Sequence, residues 1–99
     1  MPAHERDVID QYADDLTQLL DVSSVLRGLT KYKVFTKTLA FEVSKKLAHE
    51  RASKLFDILT TRGVNAFAGF CRVLKDEGEI ELAYCLQRDA YQKPVEIFW

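Results

Sequence analysis

The sequence predicts an all-α protein, an antiparallel bundle of six short helices. Its two prolines, Pro2 and Pro94, lie at opposite ends, so the chain between them contains no proline that would break a helix. Apolar residues recur along it at the 3.6-residue spacing of helices, and no stretch alternates long enough to favour a strand. Its 99 residues suit a single domain with one core.

The first two predicted helices meet at Asp21. From Glu5 to Leu20 the apolar residues fall on one arc, which predicts one continuous amphipathic helix. Asp21 is a good N-cap for the second helix. The residues expected to face the core are Val8, Ile9, Tyr12, Ala13, Leu16, Leu19 and Leu20 in the first helix, and Val22, Val25, Leu26 and Leu29 in the second.

The third helix is expected after Thr36, a second capping residue, and the fourth begins near His49 or Ser53. Gly63 is expected to end the fourth helix in a left-handed conformation. The apolar residues of these helices are Leu39, Val43 and Leu47, then Ala52, Leu55, Phe56 and Leu59.

The fifth helix is predicted to end at Gly78, and a sixth follows it to about residue 90. Their core residues are expected to be Ala66, Phe67, Phe70, Cys71 and Leu74, then Ile80, Leu82, Ala83 and Leu86.

The composition indicates a cytoplasmic protein with reduced thiols. No apolar run approaches the roughly 18 residues of a membrane span, and the N-terminus shows no apolar signal-peptide stretch. Cys71 and Cys85 each lie within an apolar helical pattern, which favours free, buried thiols over a disulfide.

Residues for catalysis are scarce. A hydrolase needs a nucleophile, a base and an orienting group that converge, yet the histidines here are His4 and His49 alone. Cys71 with His49 is the one conceivable thiol pair, and no cysteine-protease signature surrounds it. The cysteines and histidines also lack zinc-site spacing, and no glycine-rich phosphate loop occurs. We expect no enzyme activity, no metal and no cofactor.

Charge is segregated along the chain, although the net charge is −1. Residues 1–21 contain six acids and one base, whereas residues 27–54 contain eight bases and two acids. The basic stretch suggests a small nucleic-acid-binding helical domain as one alternative, because clustered cations supply the sequence-independent part of such binding. The neighbouring acidic helix argues against it, since it would repel phosphate.

Two segments carry a resemblance to a known family. Residues 55–71 read LFDILTTRGVNAFAGFC, and residues 78–83 read GEIELA. These resemble the fourth-to-fifth and fifth-to-sixth helix junctions of caspase recruitment domains. The family's second helix is similar to the segment from Val25-Leu26 through Leu29. Its capped entry to the third helix is similar to the Val34-Phe35-Thr36 turn. Within the family, the likeness is greatest to domains of apoptotic initiator caspases and their adaptors.

The resemblance implies a death-domain-like Greek-key bundle over residues 1–90, with 91–99 as a C-terminal tail or the start of a linker. It implies a homotypic interaction module that recruits a caspase or an adaptor through a domain of the same kind. Such a module can also pair with a second copy of itself. Any protease activity would belong to a separate catalytic domain, as in the prodomain of a caspase. A stand-alone inhibitory regulator that blocks a partner's face is the alternative within this class.

The resemblance also suggests charged binding faces, but with the family's usual polarity largely inverted. Family members commonly dock a basic face of the first and fourth helices on an acidic face of the second and third, whereas here the first helix is acidic. Alternatively, the charges merely solubilise the domain, since isolated exposed pairs contribute about 0 to 1 kcal/mol each. The expected acidic face is Asp7, Asp10 and Asp14; the basic face is Arg27, Lys31, Lys37, Lys45, Arg51 and Lys54; and Phe41 is a possible exposed apolar anchor.

Overall fold

The computed structural model describes residues 1–63 and 65–91, and within them it contains seven α-helices and no strand. The prediction of an all-α protein is confirmed. The helices are α1 (Ala3–Gln11), α2 (Ala13–Leu19), α3 (Val22–Lys31), α4 (Lys37–Ser44), α5 (Ala48–Leu59), α6 (Ala66–Asp76) and α7 (Ile80–Tyr91).

The predicted first helix is two helices, which corrects the expected number of six. The break falls at Tyr12, whose φ of −99° and ψ of 8° interrupt the helical backbone between α1 and α2. The two segments have different neighbours, because α1 packs against α7 and α2 packs against α5. The Tyr12 hydroxyl donates a hydrogen bond to Asp89 of α7, which fixes the break against the last helix.

The core is centred on α6, which packs against both α3 and α7. All five residues predicted to face inward from this helix are buried. Each large apolar side chain buried in this way contributes roughly 1.5 to 3 kcal/mol to folding, which compensates for the marginal stability of short helices. The largest fully buried side chains include Phe35, Phe67, Phe70, Ile9, Leu16, Leu29, Leu55, Leu59, Leu74 and Leu86.

Both predicted N-caps are confirmed. The Asp21 carboxylate accepts a hydrogen bond from the Ser23 backbone N–H at 3.2 Å, and the Thr36 hydroxyl accepts one from the Leu39 N–H at 3.2 Å. These side chains satisfy backbone donors that the first turn of each helix leaves without partners.

The two predicted glycine stops behave differently. Gly78 follows the end of α6 closely, as predicted, and has a left-handed φ of 88°. Gly63 was expected to do the same for α5 and does not: α5 already ends at Leu59, and Gly63 does not have a left-handed φ. Instead, the Thr60 and Thr61 hydroxyls donate to the carbonyls of Phe56 and Ile58 in the last turn.

Close approach of α3 to α6 depends on a glycine. A Cβ at Gly28 would lie 2.8 Å from Cγ1 of Val73, closer than side chains pack. A methyl group at this position would therefore require Val73 to move or α3 to separate from α6.

Three residues expected in the core are exposed: Leu19, Leu47 and Ile80. Leu47 is the N-cap of α5 and lies outside α4, so the spacing that placed it on the inner face of that helix does not apply. Ile80 is the first residue of α7.

Tyr91 belongs to α7, and the remaining residues of the predicted tail, 92–99, lie outside the described residues. Among the described residues, no helix has the length and apolar character needed to cross a membrane.

Candidate protein-binding surface

Helix α3 presents two cations on one side. Arg27 and Lys31 are both exposed, and their spacing of four residues places them one turn apart on the same face. The Arg27 guanidinium donates to the Ser24 hydroxyl at 3.0 Å, and the Lys31 ammonium lies 5.3 Å from the centre of the Tyr32 ring. These local contacts leave both charges at the surface.

Helix α4 repeats this arrangement around an aromatic ring. Lys37, Phe41 and Lys45 are spaced four residues apart and are all exposed, with 62% of Phe41 accessible to solvent. The Lys45 ammonium lies 5.7 Å from the Phe41 ring centre and 3.2 Å from a Glu42 carboxylate oxygen. Phe41 is exposed as predicted.

The two helices pack against each other, and a groove of about 570 Å³ lies along their junction. Its walls combine apolar atoms of Leu26, Ala40 and Phe41 with Arg27 and Lys31. Hydroxyl groups of Ser23, Thr30 and Ser44 complete the lining. We call the set Arg27, Lys31, Lys37, Phe41 and Lys45 the basic surface.

Two further predicted members of the basic face lie elsewhere. Arg51 and Lys54 belong to α5, are half-buried and do not line the groove. The Arg51 side chain donates from Nε to the Lys46 carbonyl at 3.0 Å, just before α5 begins. Arg51 therefore stabilises the chain at the start of its own helix.

Three aspartates of the first two helices are exposed: Asp7 and Asp10 of α1, and Asp14 of α2. We call them the acidic surface. Within residues 1–63 and 65–91, no salt bridge joins any of them to a cation. Because α1 packs mainly against α7 whereas α3 and α4 pack against each other, the two surfaces belong to different helix pairs. Neither surface is neutralised by the other within one molecule.

The conceivable thiol pair does not form a reactive site. Burial raises the pKa of the Cys71 thiol to about 12, so it stays protonated at neutral pH. His49 is exposed on α5 with its Nε2 3.8 Å from Glu50. Both cysteines are free thiols, as expected, with Cys71 buried and Cys85 half-buried. The described part of the chain contains no group of three or more His, Cys, Asp or Glu placed to hold a metal.

Sequence reasoning missed two features. A concavity of about 700 Å³ brings together Lys33, Arg62 and Arg72 from positions far apart in the chain. Its wall is held by Arg72, which stacks 4.6 Å from the centre of the Tyr32 ring. The second feature is the burial of Glu5, which its position near the start of an acidic helix does not suggest. Neither leaves a local pattern in the sequence, because both depend on contacts between distant helices.

No protein-family model, curated protein or solved structure matches this chain. The groove and the two charged surfaces are therefore the features that bear on its function.

Proposed function

We propose that this protein is a homotypic protein–protein interaction module of the caspase recruitment type, with a death-domain-like Greek-key fold. In this proposal α1 and α2 together correspond to the first of six helices, and α3 to α7 to the other five. The all-helical architecture and the two confirmed caps support it, as do the buried residues of segment 55–71.

One observation carries the proposal: an exposed phenylalanine lies beside an apolar groove and among four cations, while an acidic surface lies on other helices. A phenylalanine exposed to this extent adds little to the fold. Exposed aromatic residues beside apolar grooves are typical anchors of protein interfaces. The charges around it suit an acidic partner surface, such as that of a second copy.

The two surfaces differ in charge, and this difference determines how two copies would associate. Asp7, Asp10 and Asp14 of one copy approach Arg27, Lys31 and Lys37 of another, which steers the encounter and sets its orientation. Phe41 then excludes water at the contact. Because the contact joins two different surfaces, it is head-to-tail, and it closes into a ring or continues as a filament.

In the cell, such a module would recruit a caspase or an adaptor in the cytoplasm, and any catalysis would reside in another domain. A stand-alone regulator that occupies a partner's surface and blocks assembly uses the same residues. The basic surface also supports a second candidate, nucleic-acid binding, because its cations would contact phosphates.

Light scattering at low and high salt tests the association. We expect assemblies at low salt that dissociate as salt rises, because screening over about 10 Å at 0.1 M weakens pairing between exposed charges. Asp10→Lys and Lys31→Glu should each abolish assembly, whereas mixing the two variants should restore a contact between the swapped charges. Asp57→Lys and Lys75→Glu make the same charge changes at exposed positions outside both surfaces and should leave assembly unchanged.

A monomer at every salt concentration would overturn self-association. Titration with single-stranded RNA and duplex DNA then separates the remaining candidates. An affinity that falls steeply with salt and is lost in Lys31→Glu would favour nucleic acid, whereas failure to bind either would dismiss that candidate.

A further inference from the structure

Glu5 is the one charged side chain that is buried among residues 1–63 and 65–91. It is 2% exposed, and its Oε1 atom has no hydrogen-bond partner within that part of the chain. Leaving a buried polar group without a partner costs about 1 to 3 kcal/mol, and more for a charged group. Such a cost calls for an explanation other than solubility.

The Glu5 side chain lines a pocket of about 440 Å³ between α1, α6 and α7. Three aromatic residues, Phe67, Tyr84 and Tyr91, line the same pocket. Tyr91 makes edge-on contacts with Phe67 at 6.0 Å and with His4 at 5.1 Å between ring centres, so its ring is held in place. Aromatic rings attract cations over their faces, and a carboxylate in the same pocket adds a negative charge.

In the described part of the chain, the cations near this pocket do not pair with Glu5. Arg88 also lines the pocket, but its Nε donates to Asp89 at 3.2 Å. Burial raises the pKa of Glu5, and the nearby His4 and N-terminal ammonium only oppose that effect. Among residues 1–63 and 65–91, no cation therefore forms a salt bridge with the Glu5 carboxylate.

We propose that this pocket binds the guanidinium group of an arginine side chain from a partner protein. A guanidinium is planar, stacks on aromatic rings, is weakly hydrated and donates several hydrogen bonds to one carboxylate. The pocket volume accommodates a side chain of this length, and the Gln87 amide in its lining offers a further acceptor. The inference is independent of the proposed homotypic association, because the pocket shares no residue with the basic or the acidic surface.

The test is an NMR titration of the full chain with N-acetyl-arginine amide. The matched control probe is N-acetyl-citrulline amide, which has nearly the same shape without the charge. We expect the arginine probe to shift the signals of Tyr84, Tyr91 and the Ala68 methyl group, and the citrulline probe to bind at least about tenfold more weakly, a difference of about 1.4 kcal/mol. Equal binding of both probes, or arginine-induced shifts confined to the acidic surface, would overturn the proposal.

Two variants, compared with a matched control, locate the binding to the pocket. Glu5→Gln keeps the size of the side chain and removes its charge, and should weaken arginine binding at least about tenfold. Glu77→Gln makes the same change at an exposed position outside the pocket and both charged surfaces, and should leave arginine binding unchanged. Tyr84→Ala removes an aromatic wall that is 74% exposed, so it should weaken binding without unfolding the protein. Unchanged binding in Glu5→Gln or in Tyr84→Ala would refute the assignment.

Discussion

Two phenylalanines, one on α6 and one on α4, occupy opposite environments. Phe67 is 2% exposed and contacts the core on the inner face of α6, whereas Phe41 is 62% exposed beside the α3–α4 groove. Burial of Phe67 accounts for its presence through the hydrophobic effect. The hydrophobic contribution of Phe41 to folding is small, because most of its side chain is exposed. Its cation–π contact with Lys45 contributes only about 0.5 to 1 kcal/mol at an exposed site. The fold therefore accounts for Phe67 but not for the exposure of Phe41, which the proposed interface would explain.

The largest effect on stability is expected from replacing Phe67, the buried phenylalanine of this pair. Phe67→Ala should lower the free energy of unfolding by about 3 to 5 kcal/mol, because it removes buried apolar surface and leaves a cavity. Chemical denaturation followed by circular dichroism measures the loss. A change below about 1 kcal/mol would mean that the core around α6 rearranges to fill the space.

Phe41→Ala should have the opposite effect: it should leave stability nearly unchanged and weaken self-association. The free energy of unfolding should stay within about 0.5 kcal/mol of the wild-type value, as for most surface changes. Self-association should weaken by about 2 kcal/mol, the usual contribution of an interface anchor. Sedimentation at low salt measures the association, and Phe41→Trp, which keeps an aromatic ring, should preserve it. An assembly unaffected by Phe41→Ala would place the contact elsewhere.

A smaller effect is expected at Thr36, which caps α4 and so helps to present the basic surface. Thr36→Ala should cost about 1 kcal/mol of stability, because it removes the acceptor for the Leu39 N–H. Thr38→Ala is the matched control: Thr38 is also exposed, lies inside α4 and does not cap it, so its replacement should change stability by less than about 0.5 kcal/mol. Thr36→Ser should retain most of the cap. Equal losses in Thr36→Ala and Thr38→Ala would show that the cap contributes little.

Features specified by short stretches of sequence were predicted well. The caps at Asp21 and Thr36, the stop at Gly78 and the apolar face of α6 depend on neighbouring residues, and each lies where the pattern placed it. For the candidate site, the four-residue spacing of Lys37, Phe41 and Lys45 was readable from the sequence. The groove beside them was not, because it depends on how α3 packs against α4.

The incorrect predictions have two causes: tertiary packing overrides the local pattern at Tyr12, and nearby hydroxyl groups cap the end of α5 before Gly63. The arc from Val8 to Leu20 is continuous in sequence, but its two halves pack on different helices, so the helix breaks at Tyr12. Gly63 has the sequence of a helix stop, yet α5 ends four residues earlier with hydroxyl groups capping its carbonyls. Burial of Glu5 and convergence of Lys33, Arg62 and Arg72 likewise required the packed helices.

The pairing of α1 with α7 affects how the molecule matures during synthesis. The face of α1 that carries Val8 and Ile9 emerges early from the ribosome, but its partner helix begins only at Ile80. At about 5 to 20 residues per second, that interval lasts several seconds. During this time α1 lacks α7, the helix against which it mainly packs, while α2 to α6 become available. We therefore expect docking of α1 on α7 to be a late step of co-translational folding, which also completes the pocket around Glu5.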